Sequence, residues 1–84
     1  MSVTWSEMSM FERAAVDAAV LAYVEWREEC VAVWDAYDWW TTVPAEESQR
    51  AHAGYRAALD REEAAARSYA TRVERLERLV GMHQ

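Results

Sequence analysis

The side chains best suited to chemistry in this 84-residue chain are His52, Glu62 and Cys30. An imidazole and a carboxylate on one helix could bind a metal ion or transfer protons, and a thiolate could act as a nucleophile. Their spacing supports none of these. Dinuclear helical sites use Glu-x-x-His pairs, which the chain lacks, and Cys30 has neither a nearby histidine nor a second cysteine. We therefore expect no catalytic, cofactor or metal site. A metal-binding helical bundle enzyme is the weakest alternative.

The helices that position these side chains are predicted by a heptad pattern that occurs twice, once on each side of Pro44. Apolar positions recur in alternating steps of three and four, which is typical of helices that pack along a narrow stripe. Before Pro44 they are Val16, Ala19, Tyr23, Trp26, Cys30, Val33, Tyr37 and Trp40. After it they are Tyr55, Leu59, Ala66, Tyr69, Val73, Leu76 and Val80, with the charged Glu62 at the remaining position of the same spacing. The pattern predicts an all-α fold: one domain, residues 1–84, forming an antiparallel two-helix hairpin.

The predicted helices span about residues 6–41 and 44–80. Ser6 or Ser9 can cap the first, since Ser9 followed by Glu12 has the spacing of a capping box. Pro44 suits the first turn of the second helix, and Gly81 has the position of its C-terminal cap.

A turn centred near Thr42 has consequences for the polar residues of the second helix. It would bring Glu62 beside Tyr23. The carboxylate of Glu62 would then accept a hydrogen bond from Tyr23 or from an arginine. It would also bring His52 beside Val33 and Trp34. We interpret both residues as structural polar groups that fix the pairing of the helices.

The two helices differ in the width of their apolar stripes. Val20, Val24, Val31 and Trp34 extend the first stripe to about half of that helix, whereas the second stripe stays narrow. One narrow helix cannot cover so broad a face, and exposed apolar patches of this kind mark interaction sites. We expect the hairpin to form a homo-oligomer, specifically a dimeric four-helix bundle.

Charge is distributed unevenly within the net charge of −6. Residues 1–41 contain eight acids and two arginines, whereas residues 42–84 contain seven of each. An acidic helix repels nucleic acid, so we expect no direct nucleic-acid binding, and a protein partner with a basic face is the better match.

Two functions fit these features. The first is a non-enzymatic protein–protein interaction module, a small adaptor, assembly factor or regulatory subunit, which binds through the aromatic residues Trp34, Tyr37 and Trp39. The second is an acidic, antitoxin-like inhibitor that blocks a basic, nucleic-acid-binding protein. Its binding residues would be Glu25, Glu28, Glu29 and Asp35.

The N-terminal residues lack the pattern of a signal peptide, and no apolar run is long enough to cross a membrane. Together with the single cysteine, this favours a soluble cytoplasmic protein. The plan is similar to that of the secreted WXG-type hairpins. However, the chain has Trp39-Trp40-Thr41 where those proteins have Trp-x-Gly. Their C-terminal Tyr-x-x-x-Asp/Glu motif would need an acid four residues after Tyr69, where this chain has Val73. We therefore assign no family from the sequence.

Overall fold

The computed structural model describes residues 9–81, which form two long antiparallel helices. Helix α1 spans Met10–Thr42, a short 3-10 helix spans Ala45–Glu47, and helix α2 spans Ser48–Gly81. The two long helices pack against each other, and the described residues contain no β-strand. The resulting hairpin is elongated, with extents of 59 × 19 × 17 Å. The predicted all-α hairpin is confirmed.

The N-terminus of α1 is fixed by a capping box. Ser9 Oγ accepts a hydrogen bond from the backbone N–H of Glu12 at 3.1 Å, and Glu12 Oε1 accepts one from the backbone N–H of Ser9 at 3.0 Å. These bonds satisfy two backbone donors that a helix start otherwise leaves unpaired. Ser9 is thus confirmed as the cap, while Ser6 lies outside the described residues. Glu12 is only 2% exposed, and its carboxylate serves as the capping partner of Ser9.

The connection between the helices is longer than predicted. Helix α1 ends at Thr42, where the backbone N–H of Val43 donates to the carbonyl oxygen of Trp39 at 3.1 Å. Val43 and Pro44 are extended, with ψ of 155° and 158°. Pro44 accordingly precedes the 3-10 helix and does not lie in the first turn of α2, which begins at Ser48.

The far end of α2 also differs from the prediction. Gly81 is still helical, and no glycine among residues 9–81 has a positive φ. A glycine that caps a helix in the left-handed conformation requires a positive φ. The assignment of Gly81 as a C-terminal cap is therefore wrong.

The longer connection changes which residues face each other. The ring of Trp40 lies 4.6 Å from that of His52, and the ring of Tyr23 lies 5.5 Å from that of Tyr69. The prediction had paired His52 with Val33, so the observed pairing is displaced by about one heptad. The cause is that Val43, Pro44 and the 3-10 helix occupy positions that the prediction gave to the turn and to the start of α2.

The apolar residues buried between the helices are alanines, and we call the row that they form on each helix the contact seam. Its buried apolar residues in the structure are Ala15, Ala19, Ala22, Ala51 and Ala58. The predicted stripe shares Ala19 with this seam, but its Tyr23, Tyr37 and Leu59 are exposed at the flank. The seam of α1 is thus rotated by about 50°, half of one residue step, from the predicted stripe. Both phases have three–four spacing, so spacing alone does not distinguish them.

The contact seam generates a prediction about stability. Ala58 is 1% exposed, so Ala58→Leu inserts three carbon atoms where the helices touch and should lower the free energy of unfolding by about 1–3 kcal/mol. The matched control is Ala57→Leu at the exposed neighbouring position, which should change stability by less than about 0.5 kcal/mol. Urea unfolding followed by circular dichroism measures both. Equal stabilities for the two variants would contradict the seam assignment.

Candidate interaction surface

A second row of apolar positions runs along α1 beside the contact seam. It follows the same alternating steps and is interrupted once by a charge; its members are Val16, Val20, Tyr23, Arg27, Cys30, Trp34 and Tyr37. Val20 is 57% exposed and Trp34 is 67% exposed, although both are large and apolar. A helix that packs against only one neighbour needs one apolar row. Helix α1 has two.

Helix α2 contributes to the same side of the hairpin. One surface groove is lined by Val20 and Tyr23 of α1 together with Tyr69, Val73 and Leu76 of α2. Heptad spacing places further α2 residues beside Val73 on this side. We call the whole surface the apolar face; its members are Val16, Val20, Tyr23, Cys30, Trp34 and Tyr37 of α1 and Leu59, Ala66, Val73 and Val80 of α2.

Two groups of aromatic rings support the apolar face from the contact seam. Near its middle, Tyr69 lies 5.5 Å from Tyr23 and stacks on Trp26 at 5.8 Å with an interplanar angle of 10°. Near the connection, Tyr55 lies 5.7 Å from Tyr37 and stacks on Trp40 at 5.4 Å. Such pairs contribute about 0.5–1.5 kcal/mol each beyond the area that they bury. The rings therefore hold the exposed parts of Tyr23 and Tyr37 in defined positions.

Glu62 has a hydrogen-bond partner that the sequence did not suggest. Its Oε1 atom accepts a hydrogen bond from the indole Nε1–H of Trp26 at 2.8 Å. Tyr23 and an arginine were the predicted donors. Trp26 lies four residues from the level of Glu62, about 6 Å along the axis, and the two long side chains span this offset. A half-buried carboxylate and a half-buried indole thus satisfy each other between the helices.

The structure does not bring the candidate chemical residues together. His52 packs against the ring of Trp40 near the connection, ten residues from Glu62 on the same helix, which corresponds to about 15 Å. Cys30 is half-buried and belongs to the apolar face. Within residues 9–81, no group of three or more His, Cys, Asp or Glu side chains could hold a metal ion.

The predicted aromatic binding residues lie on two different sides of the hairpin. Trp34 and Tyr37 line one groove of the apolar face together with Val33 and Tyr55. Trp39 lies about 200° from Tyr37 around the helix, and its Cζ3 atom would be 3.5 Å from a Cβ atom built on Gly54. Trp39 therefore covers the start of α2 and does not extend the apolar face.

The predicted acidic residues also divide into two groups. Glu25, Glu28 and Asp35 are exposed, whereas Glu29 is half-buried and its Oε2 atom lies 3.4 Å from Nε of Arg61. Partly exposed ion pairs of this kind contribute at most about 1 kcal/mol. Glu29 thus takes part in holding the hairpin together, and the other three acids face solvent.

Val20, Tyr23 and Val73 belong to the candidate surface but were missing from the predicted binding residues. Val20 had been noted only as a residue that widens the stripe of α1, and the other two had been assigned to the seam. The second row of three–four spacing in α1 is the signal that identifies Val20 and Tyr23. It overlaps the first row, which is why a single row was inferred.

No protein-family model, curated protein or solved structure matches this chain. Among residues 9–81, neither helix is both long and apolar enough to cross a membrane. Function must therefore be inferred from the surfaces of the chain itself.

The bond between Trp26 and Glu62 leads to a second prediction. Trp26→Phe keeps an aromatic ring but leaves the carboxylate without its indole donor, which should cost about 1–3 kcal/mol of unfolding free energy. Glu62→Leu combined with Trp26→Phe removes both polar partners. The double variant should be more stable than the sum of the two single effects predicts. Urea unfolding of all four proteins measures the coupling, and strictly additive effects would rule out the hydrogen bond as a stabilising contact.

Proposed function

We propose that this chain is a non-enzymatic protein–protein interaction module, a small adaptor, assembly factor or regulatory subunit, that binds a helical surface through its apolar face. The partner that fits most directly is a second copy of the chain, which would complete a dimeric four-helix bundle. One observation carries the proposal. The buried hydrophobic residues of the described hairpin are all alanines, while large side chains such as Val20, Tyr23 and Trp34 are exposed.

The side of the hairpin that carries the apolar face is comparable in size to a standard interface. A hairpin measuring 59 × 19 Å has a projected area of roughly 1,100 Å² on one side, compared with about 800 Å² per partner in a standard interface. Aromatic residues, which the face contains at Tyr23, Trp34 and Tyr37, dominate the binding energy of many interfaces. Covering this face would also add the large buried side chains that the alanine seam does not provide.

The arrangement of rows in α1 supports a bundle in particular. Each helix of a four-helix bundle contacts two neighbours and therefore needs two adjacent apolar rows. Helix α1 has the contact seam toward α2 and the row from Val16 to Tyr37 beside it. A second hairpin placed on the apolar face would occupy that second row.

A pair of neighbouring substitutions tests the association. Val20 and Leu21 are both exposed aliphatic residues of α1, 57% and 60%, but only Val20 belongs to the apolar face. Val20→Glu should raise the dimer dissociation constant roughly 100-fold or more, because two unpaired carboxylates would be buried at about 1–3 kcal/mol each. Leu21→Glu should leave it almost unchanged.

Sedimentation equilibrium at micromolar concentration gives the dissociation constants, and circular dichroism confirms that both variants remain helical. A monomeric wild-type protein, or equal weakening by both substitutions, would contradict association through the apolar face.

The acidic-inhibitor alternative is supported by the exposed Glu28 and Asp35, and a partner capture at low and high salt separates the two functions. A partner bound through the apolar face should remain at high salt and lose roughly tenfold or more affinity with Trp34→Ala. An inhibitor should release its partner at high salt and with Glu28→Arg, because exposed charges are screened beyond about 8–10 Å. Release by Glu28→Arg but not by Trp34→Ala would contradict the interaction module proposed above.

A further inference from the structure

We infer that the second copy docks with its helix α2 over helix α1 of the first, so that both connections lie at the same end of the bundle. This inference rests on the proposed pairing through the apolar face and specifies its geometry. Two hairpins can bring identical faces together about two different two-fold axes. An axis parallel to the helices places α1 on the other copy's α2. A perpendicular axis places α1 on α1 and the connections at opposite ends.

The charges of α1 within the apolar face are all positive. Helix α1 contains two arginines fourteen residues apart: Arg27 lies in the row of the apolar face, and Arg13 lies on its continuation, one step before Val16. Its seven acids all fall outside this row. If α1 packed on α1, the arginines of the two copies would meet apolar side chains or each other. Burying such charges without an opposite charge is unfavourable.

The corresponding row of α2 contains the complementary charges. It continues the three–four spacing through Leu59, Ala66, Val73 and Val80 and includes Glu63 and Glu77, while Arg56 lies on its continuation, one step before Leu59. These two glutamates are also fourteen residues apart. In the isolated hairpin Glu63 Oε1 accepts from Arg67 Nη1 at 2.8 Å, in a pair whose two side chains are both largely exposed. A carboxylate with two oxygens can accept from a second guanidinium as well.

The heights of these charges along the hairpin agree. Tyr23 faces Tyr69 and Tyr37 faces Tyr55, which makes Arg27 level with residue 65 and Arg13 level with residue 79. An axis parallel to the helices preserves these levels. Arg27 then lies two residues from the level of Glu63 of the partner subunit, about 3 Å along the axis. Arg13 has the same offset from Glu77 of the partner subunit. Both ion pairs can therefore form in one register.

Electron-spin distance measurement distinguishes the two axes. A nitroxide at Glu46→Cys in a Cys30→Ala background labels the connection, and sedimentation of the labelled protein verifies the dimer. Connections at one end should give a distance of roughly 20–30 Å, two to three helix diameters. A distance close to the 59 Å length of the hairpin, in an intact dimer, would overturn the inferred axis and leave the pairing itself in place. A monomeric wild-type protein would overturn both.

A charge exchange tests the same contact without labels. Arg27→Glu should raise the dimer dissociation constant about tenfold, since the new carboxylate at position 27 would lie near the carboxylate of Glu63 of the partner subunit. Adding Glu63→Arg should restore the affinity, whereas adding Asp60→Arg, on α2 but outside the row, should not. If Arg27→Glu strengthens the dimer, or if Glu63→Arg brings no recovery, α1 does not lie on α2 of the partner.

Discussion

The placement of small alanines and stacked aromatic rings between the two helices determines most of what else this structure does. Ala15 and Ala22 of α1 are buried near one end of the hairpin, and Ala51 and Ala58 of α2 are buried near the other, so each group lies level with larger side chains of the opposite helix. Tyr23 and Tyr37 are not buried between the helices. They lie at the flank, where Tyr69 and Tyr55 support their rings from below.

The same constraint relates packing inside the hairpin to interaction outside it. An alanine seam buries little apolar area per residue, so the hairpin gains less from the hydrophobic effect than a leucine seam of equal length would provide. Val20, Tyr23 and Trp34 are instead exposed on the apolar face, whereas other large residues such as Leu21 and Val31 are exposed elsewhere on α1. The burial of small residues therefore leaves large apolar side chains available for the association that we propose.

The sequence predicted the elements correctly but misplaced them relative to each other. The heptads, the capping box of Ser9 and the break at Pro44 are local signals, because they depend on spacing and on side-chain chemistry within a few residues. The phase of the seam is not local, since two overlapping rows in α1 have the same spacing and only the partner helix selects one. The pairing of Tyr23 with Tyr69 was missed because the extended conformation of Val43 and Pro44 was not foreseen.

That connection also sets a limit on how this protein can vary. Surface loops usually tolerate insertions and deletions, since changes in their length leave the flanking elements in place. Here the residues between Thr42 and Ser48, together with the rings that stack between the helices, fix how far α2 is displaced along α1. Removing a residue would pull the ring pairs between the helices and the Trp26–Glu62 bond out of alignment together. The length of this short connection is therefore under tighter constraint than its amino-acid composition.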